Sequence, residues 1–577
     1  MNYLNGVTKT KSGIHIRCDL RFRDEGGVIL FSDGKETRVP VSKDMALGNH
    51  YDIDVKVRNV SKYDSYLLYE DKHVFIDPYS KKVTGLEEYG VKHSQVYSAL
   101  PDKNSGLSDT YKALPKKALS FSNSVFYGLH VRGFTKLSGM KESGTFLGLS
   151  KKIPYLKDLG ITTIVLMPVY EFEETENNRI NYWGYKEGFY FCPKNSYAYG
   201  ADAALEFRQM VHEFHENQME VIMQMYFPDK IMPQFIMDVL CYWATEYNVD
   251  GFHLLGNRIP IAMLAAESRL ADTKLLFCGF PMDEIQRYVN KNYRNNLAVM
   301  NDGYMSLVKR YVKGDYNTAE EMVHNIKYYD ERLSRVCYLT KHDSMTLFDS
   351  VMYEKKHNEN NGEENRDGTD YNDTWNCGVE GITKKRDINA LREKQRKNMM
   401  TLLMLTSSTP MLFAGDECLH TQNGNNNPYC QDNKITWMNW EWSKAQKEWF
   451  NFVKELIAFR KEHGVFCGYR PFLMVDRLGS GIPDLSVHSD EAWKSKLGHA
   501  DHSFGLMYGG ALNQDKSDIY VAYNMDWERK KLALPSQKGK EWHIYYDTSG
   551  VKHDAEEVKD FAFLEPRSIQ ILMSKEV

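Results

Sequence analysis

At 577 residues the chain has room for a large central domain and one or two smaller ones. Its formal net charge of -5 is small for that length and excludes the basic footprint of a nucleic-acid or anionic-membrane binder. Nine scattered cysteines, odd in number and without a C-x-x-C pair, argue for a reducing compartment and against a disulfide framework or a zinc site.

The N-terminus has no apolar leader and no stretch reaches membrane-spanning length, so a cytoplasmic protein is expected. Short runs then alternate apolar and polar residues: Ile14, His15, Ile16, Arg17, and later Tyr51, Asp52, Ile53, Asp54, Val55. Turn-prone pairs such as Asp33-Gly34 separate them, which predicts a small antiparallel sandwich over 1–120. A polar stretch from Asp102 to Lys117 reads as a linker.

From about Ser124 the rhythm becomes apolar strand, then helical pattern, repeated. Strands are expected at 125–131, 161–169, 219–227, 249–255, 274–280, 335–340 and 410–414, with helices at 206–217 and 235–247 between them. Such β-α units predict an α/β fold, a (β/α)8 TIM barrel over 121–463, although its sixth strand is poorly marked. Beyond 464 strand-like runs return, as in Ile519 to Asn524, and a second β-sandwich over 464–577 is expected.

The longest motifs fall where barrel enzymes carry chemistry, after the strands. They are HVRGFT at 130–135, LMPV at 166–169, NYWGY at 181–185, NGEENRDG at 361–368, WNCGVEG at 375–381, TPMLFAGDE at 409–417 and NGNNNPYCQDN at 423–433. In this order they resemble the glycogen-debranching, isoamylase and pullulanase branch of the α-amylase family of glycoside hydrolases. The resemblance implies a starch-binding-like N-terminal sandwich, the barrel and a C-terminal sandwich. It also implies three carboxylates: a nucleophile after strand four, an acid/base after strand five and a stabilising aspartate after strand seven. A retaining glycosidase needs two of these close together across the scissile bond.

Matched residue by residue, the resemblance is incomplete. The family's D-G-F-R-x-D reads Asp250, Gly251, Phe252, His253, Leu254, Leu255, so Leu255 replaces the nucleophile and His253 its supporting arginine. Phe280 replaces the acid/base in the GFPMD string at 279–283. The strand-three motif D-V-V-Y-N-H has become QMYFPD at 224–229, and the long excursion after it is missing. Lys341, His342 and Asp343 keep the His-Asp pair, leaving Asp343 at the position of the transition-state stabiliser.

The substrate-binding candidates are His342, Tyr182, Trp183, His253, Asn427 and Asp432. Tyr182 is favoured as a stacking platform and Trp183 as a structural residue. His253 as a replacement base, and Asp283 or Glu284 as substitute carboxylates, are the weaker options. The amide-rich strings at 361–368 and 423–433 suit sugar hydroxyls and also suit self-bonded loops; their place on strand-end loops of the family's groove favours function. No metal spacing is present, so no metal and no cofactor is expected.

The expected function is that of a catalytically silent or strongly impaired homologue of glycogen-debranching enzymes. Its expected partner is α-glucan (glycogen, starch or maltooligosaccharide) or an active debranching paralogue, with no nucleic acid and no membrane. The alternatives are an active α-1,6-glucosidase using other carboxylates, and an interaction scaffold without sugar affinity.

Overall fold

The computed structural model describes residues 5–576 apart from 94, 102–110, 112–113, 115–118, 177–178, 289–292, 294, 328–329, 468–470, 512–514 and 552–556. Within the expected linker only Tyr111 and Leu114 are described, so that reading lies outside the described residues. The chain divides into two compact units. One is Met1–Lys117, His130–Ile153 and Leu166–Thr273; the other is Ala118–Leu129, Pro154–Val165 and Lys274–Val577.

The first unit opens with two antiparallel sheets. In the strand Gly13–Asp19, Ile14, Ile16 and Cys18 are buried while His15 and Arg17 between them are half-buried, as the two-residue period requires. They join one core with Val28, Leu30, Tyr66 and Leu68 of the facing sheet, so the two sheets form a sandwich.

Eight strands close into a barrel in chain order: β1 Phe126–Leu129, β2 Thr163–Leu166, β3 Glu220–Tyr226, β4 Gly251–Leu255, β5 Lys274–Phe277, β6 Leu297–Met300, β7 Ser334–Tyr338 and β8 Thr409–Phe413. The pairs β3–β4, β5–β6, β6–β7, β7–β8 and β1–β8 are parallel. The strand left poorly marked is β6, a four-residue LAVM run too short to show a period. β5 stops at Phe277 rather than running to residue 280: Cys278 is already exposed, and Pro281 removes a backbone donor just beyond. β7 likewise ends two residues early, at Tyr338.

Between β2 and β3 lies α1 Ala203–Glu216, capped by Asp202, whose carboxylate accepts from the Leu205 amide at 3.1 Å. After β3 the chain passes through 227–232 straight into α2 Pro233–Glu246. Pro233 suits a first helical position because its missing N–H has no partner there anyway. The inner face of α2 buries Ile236, Val239, Leu240 and Trp243, and the Trp243 indole donates to the Tyr190 carbonyl at 2.7 Å. No helix among the described residues is long and apolar enough to cross a membrane.

In the second unit α3 Met282–Tyr288 follows β5, and α4 Asp302–Lys313 follows β6. α5 Arg386–Met404 precedes β8, and α6 Lys444–Glu462 follows it, opened by a Ser443–Gln446 capping box. A six-stranded and a two-stranded sheet then share a core of Met507, Tyr520, Leu532, Leu564 and Leu572. That is the C-terminal sandwich.

Candidate functional site

At the ends of β3 and β4 the first unit presents neutral groups. His253 and Leu255 share one strand face, two residues apart, and both are half-buried. Gln224 on β3 donates from Nε2 to His253 Nδ1 at 3.2 Å, and its Oε1 accepts from the Tyr185 hydroxyl. Tyr185, Gln224 and His253 therefore form an uncharged chain, with Leu255 one side-chain step beyond. Gly256 then turns the backbone at φ 134°, where a Cβ would meet the Phe227 carbonyl oxygen at 2.3 Å.

The NYWGY loop is held from within the same unit. Asn181 Oδ1 accepts from the Gly184 amide at 3.0 Å, and Gly184 sits at φ 82° with the Phe172 ring pressed against it. Tyr182 is 2% exposed and stacks on His130 at 3.9 Å between centroids. In this conformation its ring offers little face to a ligand, whereas Trp183, edge-on to Tyr185 at 6.1 Å, is only half-buried. His130 Nδ1 accepts from the Gly133 amide, so Nε2 is the protonated nitrogen and donates to the Tyr182 carbonyl at 2.8 Å. Asp250 is 5% exposed and accepts from the Val221 amide at 2.7 Å, with His215 at 2.8 Å, so it anchors the strand.

In the second unit Phe280 lies three residues past β5, in contact with Phe277 at 6.3 Å and leading into α3. Asp283 and Glu284 occupy the first turn of that helix. The Asp283 side chain is 89% exposed and is held by Arg332 at 2.9 Å.

The retained Asp343 is not alone. Lys341 Nζ stands 3.3 Å from Asp343 Oδ1 and 3.4 Å from Asp302 Oδ1, the first residue of α4. The Tyr338 hydroxyl donates to the same Asp302 carboxylate. Desolvation pulls the Asp343 carboxyl upward, but the adjacent His342 and Lys341 outweigh it and hold the group below its ordinary value. Burial would depress the Lys341 ammonium, yet Asp343 and Asp302 keep it above its usual range. Burial, helped by Lys341, pulls the His342 imidazole down against the attraction of Asp343. At neutral pH the cluster is thus an ionised carboxylate bound to an ammonium beside a neutral imidazole.

The two amide-rich loops bond to each other. Asn361 Nδ2 donates to the Asn427 carbonyl, Asn425 Nδ2 to Asn361 Oδ1 and Asn358 Nδ2 to Asn426 Oδ1, each at 2.9 Å. Asn427 itself donates to Asp367 at 2.9 Å, and Asp432 accepts from the Trp437 indole at 2.8 Å. Asp349, fully buried, gathers the 421–424 backbone through the Gln422 amide at 2.8 Å and the Gly424 amide at 3.3 Å.

Three groups here escaped sequence reasoning: Lys341, Gln224 and Asp302. Lys341 adjoined the recognised pair, so its charge was the available signal; the other two gain meaning only from their partners. No group of three or more metal-ligating side chains occurs among the described residues. In the 341–343 cluster Asp343 can serve as a hydrogen-bond acceptor and Lys341 as a donor. A paired nucleophile and acid, about 5–5.5 Å apart in retaining glycosidases, has no counterpart in Leu255 and Phe280.

A family model described as "Alpha amylase, catalytic domain" matches residues 120–229. Isoamylase 1 of Arabidopsis thaliana, a chloroplastic protein, is 27% identical over 623 residues, spanning 88% of this chain and 76% of that protein. The glycogen operon protein GlgX homolog of Mycobacterium tuberculosis (strain H37Rv) is 31% identical over 432 residues, 60% of this chain and 59% of that one. The solved pullulanase of Paenibacillus barengoltzii superposes with a TM-score of 0.75 at 17% identity, covering 99% of this chain and 94% of its own; at that identity the likeness concerns the fold. Taken with the motif order and the closed barrel, these make the chain similar to the debranching branch, that of isoamylases and pullulanases, of the α-amylase family.

Proposed function

We propose that this protein binds α-glucan without running the double-displacement hydrolysis of its relatives. The observation that carries this reading is the pair Leu255 at the end of β4 and Phe280 just beyond β5, in place of the nucleophile and the acid/base. Neither side chain can attack an anomeric carbon or protonate a leaving oxygen. In the second unit Asp343 with Lys341 and His342 are the groups assigned to hold sugar hydroxyls. Solved pullulanases similar in fold were crystallised with maltotetraose and with maltohexaose, which makes linear α-glucan the ligand to try first.

Loss of both catalytic groups costs several powers of ten in rate and leaves at most a residue from binding and electrostatics. The test is co-sedimentation with glycogen and branched maltodextrin, with reducing ends assayed in the same tubes. Binding without release is the expected result. Release that vanishes in Asp283→Asn or Glu284→Gln would replace this reading with an active glucosidase. Absence of binding would favour a scaffold without sugar affinity.

A further inference from the structure

A cavity of about 480 Å³ opens on the C-terminal sandwich, outside every motif that carried the family resemblance. Its volume falls in the range of roughly 300–1,000 Å³ found for small-molecule sites. Trp493 lines it, is 48% exposed, and meets the His488 ring edge-on at 5.2 Å between centroids. The backbone there is left-handed, φ 65°, a conformation costly for a bulky residue.

That conformation is fixed from beneath. The Trp493 amide donates to His488 Nδ1 at 2.9 Å, and the other ring nitrogen of His488 meets Ser486 Oγ at 2.8 Å. His488 is 1% exposed, and its burial pulls the imidazole down to about 4, so it stays neutral and keeps one nitrogen free to accept. A buried hydrogen-bonded pair thus holds an indole half bare over a cavity.

The remaining wall mixes apolar residues, Leu478, Ile482 and Pro483, with charged groups that are nearly balanced in sign. Asp476, Asp484, Asp515 and Asp518 face Arg477, Lys538 and Lys540. Lys540 is paired with Asp518 at 2.8 Å, and Asp484 lies 3.5 Å from Arg477. Gln537 also lines the cavity, and its Oε1 is a buried acceptor without a hydrogen-bond donor among the described residues. Balanced charge disfavours a phosphate or a polyanion. A half-bare indole beside mixed donors and acceptors suits a neutral, polyhydroxylated ring with an apolar face.

We infer that this cavity is a second carbohydrate site, taking a short linear maltooligosaccharide with one glucosyl ring stacked on Trp493 and its hydroxyls directed to Gln537 and Lys540. The choice of an α-linked glucan rests on the function proposed above; the site itself rests on the cavity and its tryptophan. Trp493→Asn in the full chain is the main variant, because asparagine takes a left-handed backbone more readily than tryptophan. Calorimetric titration with maltoheptaose is expected to show a component that this variant weakens tenfold or more, with no loss in melting temperature. His342→Ala, on the barrel, should leave that component in place.

A second readout needs no variant: maltoheptaose should protect Trp493 from N-bromosuccinimide oxidation, followed by peptide mass mapping. An unchanged isotherm in Trp493→Asn, or oxidation of Trp493 unaffected by the sugar, would overturn the inference. Loss in His342→Ala alone leaves the barrel reading standing and removes this one; loss in Trp493→Asn alone does the reverse. A wild-type protein that binds no maltoheptaose removes both.

Discussion

Leu255 and Phe280 carry the functional argument at the scale of single residues, but their neighbours decide whether it could be reversed. Gln224 and His253 are bonded to each other where the resemblance would place an aspartate and an arginine, and Lys341 already neutralises Asp343. Each missing electrostatic partner is worth about a hundredfold or more in a glycosidase-like transition state. Leu255→Asp with Phe280→Glu is therefore expected to stay at least about two powers of ten below an active relative in reducing-end release from branched maltodextrin. Strong activity from that pair alone would mean the support at β3 and β4 is sufficient as it stands. A residue-scale stability prediction concerns Gly184, where a Cβ would meet the Phe172 ring at 2.3 Å and φ is 82°. Gly184→Ala should cost about 1–3 kcal/mol, read as a lowered denaturation midpoint.

At the scale of elements, the loops 361–368 and 423–433 are built of residue types open to two uses. Their amides suit a sugar and suit each other equally well, and composition cannot separate the two. In the fold Asn358, Asn361, Asn425 and Asn426 are at most 3% exposed and bonded across the two loops. Asn361→Ala would strand the Asn427 carbonyl and a buried Asn425 amide, at a cost of about 2–3 kcal/mol in chemical denaturation. Lys194 gives a parallel case: its fully buried ammonium lies 2.9 Å from Glu171 and 2.7 Å from Glu174. Lys194→Met leaves two buried carboxylates without their cation, and a loss of about 3–5 kcal/mol is expected in the same assay.

At the scale of the whole molecule, buried carboxylates at the end of β8 tie stability to pH. Asp416 is 4% exposed, accepts from Thr340 Oγ1 at 2.6 Å and from the Phe413 amide at 2.9 Å, and burial raises its carboxyl to about 7. The unfolded chain releases that proton near the ordinary value of 3.8, so the native state holds more protons between about 4 and 7. Its contribution to stability is present at low pH and is lost as pH rises through that window, by at most about 1.4 kcal/mol per pH unit. His488, with its imidazole lowered to about 4, acts in the opposite direction. The difference between wild type and Asp416→Asn isolates the first effect: the variant should gain relative stability from pH 5 to pH 7.5 in denaturant titrations. No such gain would mean the Asp416 carboxyl ionises normally in the folded protein.

The sequence alone determined the barrel and the strands flanking it, because periodicity and motif order are local properties of the chain. Even the short connection after β3 was legible, as a short string between two apolar runs. Partner choice was not. Glu417 accepts from the Tyr127 hydroxyl across 290 residues of sequence, and Lys341 meets Asp302 only once β7 and α4 are in place. Likewise Tyr182, chosen from sequence as the sugar platform, is largely covered by stacking on His130, while Trp183 beside it is half-buried. Which side chains face water, which neutralise one another and which are left bare are settled by distances between remote segments, and those exist only in the folded molecule.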